Sequence, residues 1–96
     1  MTTYSLSEDA DADIEAIARI SIELWGSARA KLYIADLHHA FEMLNTFPHL
    51  GTDAGDVRTN YFRFHHASHA VYFKKQEAGI LIIRVLHQRQ RPQNSW

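Results

Sequence analysis

Cysteine is absent from the 96 residues, and proline and glycine are scarce, at two and four. Without cysteine there is no disulfide framework, no thiolate metal site and no thiol nucleophile. No glycine-rich phosphate loop and no nucleophile-elbow pattern occurs, so nucleotide hydrolysis and serine-hydrolase chemistry have no support. No apolar run approaches the roughly 20 residues of a membrane-spanning helix. The opening residues, MTTYSLSEDADADIEAI, lack the basic start and long apolar core of a secretory signal. The expectation is a cytoplasmic chain with no membrane association. Its length suits one domain, residues 1–96, and a chain this short buries only about 60–65% of its unfolded surface.

What is present is patterned. Thr3 to Ser7 alternates with a period of two, which predicts a short first strand. Ser7 is placed to cap a helix whose first turns hold Glu8, Asp9, Asp11 and Asp13, where a helix N-terminus favours negative charge. Ala10, Ile14, Ile17, Leu24 and Trp25 share one helical stripe, flanked by Ile20 and Ile22. Gly26 ends that helix and Ser27 can cap the next. The second stripe is Ala30, Tyr33, Ile34, Leu37, Phe41 and Leu44, closed by Pro48 with Gly51 beyond. Two helices with a one- or two-residue break form an αα-hairpin. From about Val57 the period returns to two, giving strands at Tyr61–His65 and Ala70–Lys75. Val71 and Phe73 lie on one face of the second and Tyr72 on the other. A turn at Gln76 to Gly79 leads into a last strand, Ile80–His87. The order is β-α-α-β-β-β, an α+β fold with an antiparallel meander. The first strand is expected to join the same sheet, because alone it leaves its backbone groups unpaired.

An arginine interrupts the last strand, ILIIRVLH. Burying Arg84 under the helices is costly, so Leu81, Ile83 and Val85 are expected to face the helices while Arg84 points into the open side of the sheet. Charge is also divided along the chain. Residues 1–48 hold eight acids against three cations, a balance of −5, and residues 49–96 hold three acids against seven cations, a balance of +4. Such asymmetry suggests an acidic protein or a nucleic acid as partner; the alternative is that each half solvates its own surface.

The chain resembles the RelE/ParE toxin superfamily of type II toxin–antitoxin modules, in its ParE branch. The resemblance rests on Tyr4-Ser5-Leu6-Ser7 with Ala10, Asp13, Ile14 and Ile17; Trp25-Gly26 with Ala30, Tyr33 and Leu37; Phe47-Pro48 and Gly51; Arg58; Tyr61 and Arg63; Ser68 to Phe73; and Ile83-Arg84-Val85-Leu86-His87 with Arg89. The last segment is the most specific. The fold this implies is a small curved antiparallel sheet packed on an N-terminal αα-hairpin. It also implies a ParD-like antitoxin that wraps its C-terminal segment around the toxin. ParE-branch members are associated with DNA gyrase, whereas RelE-branch members cleave messenger RNA.

Ribonuclease chemistry needs a general base, a general acid and cations on the phosphate. His87 is the candidate acid or base, with Arg84 and Arg63 as phosphate clamps. RelE-type enzymes resemble one another in a basic segment before the central strands and a late tyrosine or histidine. Here Gly51 to Asn60 offers Arg58 beside Asp53 and Asp56, and no tyrosine follows Tyr72. His87 otherwise reads as a strand-end histidine bonded to backbone, and Arg84 as half of an ion pair. Seven histidines raise a metal site. His38 and His39 diverge on a helix, whereas His65 and His69 could converge across a turn; neither carries a metal-ligand motif, so no metal or cofactor is expected.

The expected function is a toxin that acts by binding, not catalysis. Its recognition surface for target or antitoxin is assigned to Arg58, Arg63, Arg84, His87, Arg89 and Arg91, with Trp25 either in the core, the favoured place, or at the antitoxin contact. The expected partners are a ParD-like antitoxin and DNA gyrase, with no direct binding of nucleic acid. The alternative is a RelE-like endoribonuclease.

Overall fold

Ser7 ends the first strand and starts the first helix. Its Oγ accepts the Ala10 N–H at 3.0 Å and donates to the Ile83 carbonyl at 2.7 Å, while its N–H donates to the Ile82 carbonyl at 2.9 Å. One residue thereby caps the helix and fastens it to a strand 76 positions away. The computed structural model describes residues 4–92; Thr3, the expected start of the first strand, lies outside them. The elements are β1 (Ser5–Leu6), α1 (Glu8–Trp25), α2 (Ser27–Thr46), a 3₁₀ turn (Pro48–Leu50), β2 (Thr52–Asp53), β3 (Phe62–His66), β4 (His69–Gln76) and β5 (Gly79–His87).

The strands form one sheet in the order β1-β5-β4-β3-β2. β2 to β5 pair antiparallel, but β1 lies parallel to β5, with Ser5 opposite Leu81 and Leu6 opposite Ile82. The sheet is therefore mixed. The helix hairpin carries the chain over the sheet before it returns, and the outer edge of β5 is where β1 finds unpaired backbone. β2 is an addition to the expected order; two residues carry no periodicity to reveal it. Gly26, not Ser27, stands between the helices. At φ +88° its N–H donates to the Ile22 carbonyl and its own carbonyl accepts the Ala30 N–H. Glycine tolerates that φ without the Cβ penalty.

The core lies between the hairpin and the sheet. Ile14, Ile17, Leu37, Phe41 and Leu44 meet Val71, Phe73, Ile80, Ile82 and Val85. Each large side chain removed from water there contributes roughly 1.5–3 kcal/mol. Tyr4 closes one end, its hydroxyl on His38 Nδ1 at 2.5 Å and its ring edge-on to Phe41. Near the same end Asn45 Oδ1 accepts the Ile80 N–H at 3.1 Å.

Two expectations about β5 are corrected. Its pairing with β4 slips by one residue: Tyr72 stands opposite Arg84, but Phe73 stands opposite Ile82. Ile83 is the extra residue of a β-bulge, and such a residue resets the alternation. Ile80, Ile82 and Val85 therefore pack on the helices, whereas Leu81, Ile83 and Leu86 lie against the other cluster. Moreover, the sheet's outer face is partly covered by the chain itself. Ala54, Val57 and Tyr61 fold over Ala70, Tyr72, Ile83 and Leu86. The covering segment is tied internally by Ala54 N–H to the Tyr61 carbonyl and Tyr61 N–H to the Arg58 carbonyl.

Candidate functional site

α1 runs beside the outer edge of β5, which β1 covers at Leu81 and Ile82. Past that point Asp13 takes over the edge. Its Oδ2 accepts the Val85 N–H at 2.9 Å, and its two oxygens accept Arg84 Nε at 2.8 Å and Nη2 at 3.0 Å. This fork is the bidentate geometry guanidinium favours. Those hydrogen bonds raise the Arg84 pKa above its ordinary value, against the opposing pull of burial. Opposite Tyr72, Arg84 stands in register on the face away from the helical core, as expected. Its guanidinium, however, is folded back onto a helix acid, the ion pair that is the other reading of this residue. A paired guanidinium bears partial burial that an unpaired one does not.

Between α1 and this edge lies a groove of ≈ 360 Å³. One wall is Ala16, Ile17, Ile20, Leu24 and Trp25; the other is Val85, His87 and Gln90, with Ser68 and His69 at the end. Its lining is mainly apolar. Leu24 and Trp25, expected in the core stripe, are 68% and 43% exposed, while Ser21 is buried in their stead. The last turn of α1 faces this open groove and not a packed layer. Trp25 leans edge-on against Tyr33 at 5.9 Å between ring centroids, with the Arg29 guanidinium over its ring.

Histidines close the far end. His69 and His87 are cross-strand partners with ring centroids 5.5 Å apart. His69 Nδ1 lies 2.6 Å from the Tyr33 hydroxyl. Burial, with the neighbouring His87 and His66, pushes the His69 pKa below the usual histidine value, and burial raises that of Tyr33. Beyond His87 the chain turns sharply: His87 N–H donates to Gln90 Oε1, and Arg89 N–H donates to His87 Nδ1. Arg89 and Arg91 follow on the exposed surface.

Of the residues singled out from sequence, the structure brings together Trp25 and His87, with Arg89 and Arg91 just past the groove's end. Arg63 lies elsewhere, its guanidinium over Tyr72 on the other side of the sheet. Arg58 belongs to the segment that covers that side. The three ribonuclease candidates are therefore not assembled: Arg63 and Arg84 flank Tyr72 on one face, with Arg84 held by Asp13, whereas His87 faces the groove on the other. His65 and His69 do not converge either, since His65 pairs with Ala70 and His66 with His69. Among the described residues no group of three or more histidine and acidic side chains could hold a metal ion. Sequence reasoning missed the site roles of Asp13, Tyr33 and Ser68. A signal was present in Ser21, a small polar residue on an apolar stripe, but nothing local assigns it a meaning.

The match to known proteins follows this fold. The family model described as "ParE toxin of type II toxin-antitoxin system, parDE" covers residues 4–92. The chain belongs to the ParE toxin family. It is 35% identical over 88 residues to Toxin ParE1 of Caulobacter vibrioides, covering 92% of this chain and 91% of that protein. It is 31% identical over 87 residues to Toxin ParE1 of Mycobacterium tuberculosis, covering 90% and 89%, and 30% identical over 91 residues to Toxin ParE of Escherichia coli, covering 93% and 87%. A solved chain from a chromosomal ParDE toxin–antitoxin system of P. aeruginosa superposes with a TM-score of 0.75 at 18% identity, covering 91% of this chain and 96% of that one. That likeness extends to the fold. The α1–β5 groove of this ParE toxin has a mainly apolar lining that includes Trp25, and no helix among its described residues is long and apolar enough to cross a membrane.

Proposed function

We propose that this ParE toxin acts in the cytoplasm by binding DNA gyrase, without catalysis of its own, and is neutralised by a ParD-like antitoxin seated in the α1–β5 groove. The observation that carries the docking site is the groove itself: Ile20, Leu24 and Trp25 present exposed apolar surface beside a strand end that carries His87, Arg89 and Arg91. An apolar wall with a basic end suits an amphipathic segment bearing acids at one terminus, laid in as a helix or strand. The same basic end, with Arg58 and Arg63 on the other face, forms the proposed contact for the target. Gyrase as the target rests on family membership and on the separation of His87 from Arg63, which leaves RNA cleavage without an assembled site.

The test uses the purified chain and the product of the adjacent reading frame. The expected result is inhibition of gyrase supercoiling, relief of that inhibition by the partner, and loss of partner binding in Ile20→Asp. Intact gyrase activity together with cut transcripts would overturn the reading in favour of an endoribonuclease.

A further inference from the structure

The end of the groove is fastened by polar contacts that apolar docking does not require. Tyr33 of α2 meets His69 of β4 with its oxygen 2.6 Å from Nδ1. Ser68 Oγ lies 3.5 Å from the same ring nitrogen, at the limit of a hydrogen bond. In the neutral ring with its proton on Nε2, Nδ1 is an acceptor and takes the phenolic hydrogen of Tyr33. The cluster also positions the groove walls: Tyr33 carries the edge of Trp25, and His69 carries the ring of His87.

We propose that Tyr33, Ser68 and His69 form an acid-sensitive latch between α2 and β4, so that protonating His69 opens the groove wall and weakens the grip on the antitoxin. The consequence for the antitoxin rests on the docking site proposed above. Protonation turns Nδ1 from acceptor to donor, so the bond to Tyr33 must reverse and the phenolic hydrogen turn away from the ring. An imidazolium there also faces His87 on β5 and His66 on β3, which disfavour it if they charge as well. On α1, Asp13 lines the same groove, but its carboxylate holds Arg84 and the Val85 N–H. On α2, Arg29 and Asp36 line the neighbouring pocket beside Tyr33. Among the described residues the hydrogen-bond partners of His69 are Tyr33 and Ser68, neither of them an acid. A docked apolar segment buries the ring further and favours the neutral form more, so acidification and docking oppose each other.

An NMR titration of the chain alone, reading histidine rings and the Ile17, Ile20 and Val85 methyls from neutral to acid pH, tests the latch directly. The methyls are expected to move with the His69 midpoint, and that midpoint to lie below the ordinary histidine value. In Tyr33→Phe the midpoint rises, because the bond that favoured the neutral ring is gone; in His69→Gln the methyls no longer titrate. Methyls that keep their transition in His69→Gln overturn the latch. If that variant does not fold, a Tyr33→Phe midpoint that stays or falls overturns it equally. In a second arm, affinity for the antitoxin is compared on either side of the midpoint. Affinity is expected to fall on acidification through that midpoint, and most of the loss disappears in His69→Gln. A flat wild-type affinity, when Ile20→Asp still abolishes binding, overturns the latch. If Ile20→Asp binds normally, the docking site has failed, and the titration of the free chain alone decides the latch.

Discussion

Asp13 and Arg84 stand 71 residues apart and are joined by a two-pronged ion pair whose carboxylate also caps the Val85 N–H. The side chains are 16% and 22% exposed, which sets the pair between a surface salt bridge and a sealed one. Exposed pairs contribute about 0.2–1 kcal/mol, and breaking a fully buried pair costs about 3–5 kcal/mol. Asp13→Ala is expected to cost about 2 kcal/mol, because it removes the fork on the guanidinium and the acceptor of a strand-edge N–H. Arg84→Ala should cost less, since the carboxylate keeps Val85. Denaturant unfolding of both variants and the double mutant measures their coupling, expected near 1 kcal/mol; a value of zero would remove the pair's structural role.

Ser7 serves α1 and β5 at once, so its loss should exceed that of an ordinary cap. Ser7→Ala is expected to destabilise by about 1–2 kcal/mol, with Ser7→Thr recovering part of it. Equal stability of Ser7→Ala and the parent in urea would show that neither bond counts.

Gly51 lies where a Cβ would run into the ring of Phe73, a fully buried core residue. Gly51→Ala should therefore cost about 1–3 kcal/mol as overpacking. Its φ of −76° is ordinary, so the expected penalty comes from contact and not from the backbone. Combining the change with Phe73→Leu tests this. If the two costs simply add, the steric account is wrong.

Ala67 holds φ +50° in the turn between β3 and β4. A left-handed conformation costs a non-glycine residue about 1–2 kcal/mol, and glycine gives back about 0.4–1 kcal/mol through a freer unfolded chain. Ala67→Gly should thus stabilise the protein by roughly 0.8 kcal/mol, the difference of the midpoints of those two terms, read as a small rise in thermal midpoint.

His69 also makes stability depend on pH. Its folded pKa is lowered, chiefly by burial, so the folded state binds fewer protons than the unfolded one. The contribution is present in full above the unfolded value of about 6.5. It is lost as pH falls through that value towards the depressed folded one. Unfolding experiments across that window should show a steeper loss in the parent than in His69→Gln. Parallel profiles would assign the acid sensitivity to other groups.

The sequence by itself determined the order of elements. Caps, breaks and periodicity act over a few residues, and Ser7, Gly26, Pro48, the apolar stripe from Ala30 to Leu44 and the alternation of Val71, Tyr72 and Phe73 all express themselves locally. It also placed the family, through a last strand whose residues can be read without a fold. Tertiary structure alone decided which way β5 faces, what Arg84 touches and which apolar residues stay in water. A single extra residue at Ile83 turns Ile80 and Ile82 toward the helices in place of Leu81 and Ile83 while Val85 stays where expected, and no short-range pattern announces it. The Asp13–Arg84 and Tyr33–His69 pairs join elements 71 and 36 residues apart, so they exist only after the sheet has fixed its register. Leu24 and Trp25 fit the helical stripe but not a core, because whether a stripe is buried depends on the layer opposite, and the last turn of α1 meets an open groove.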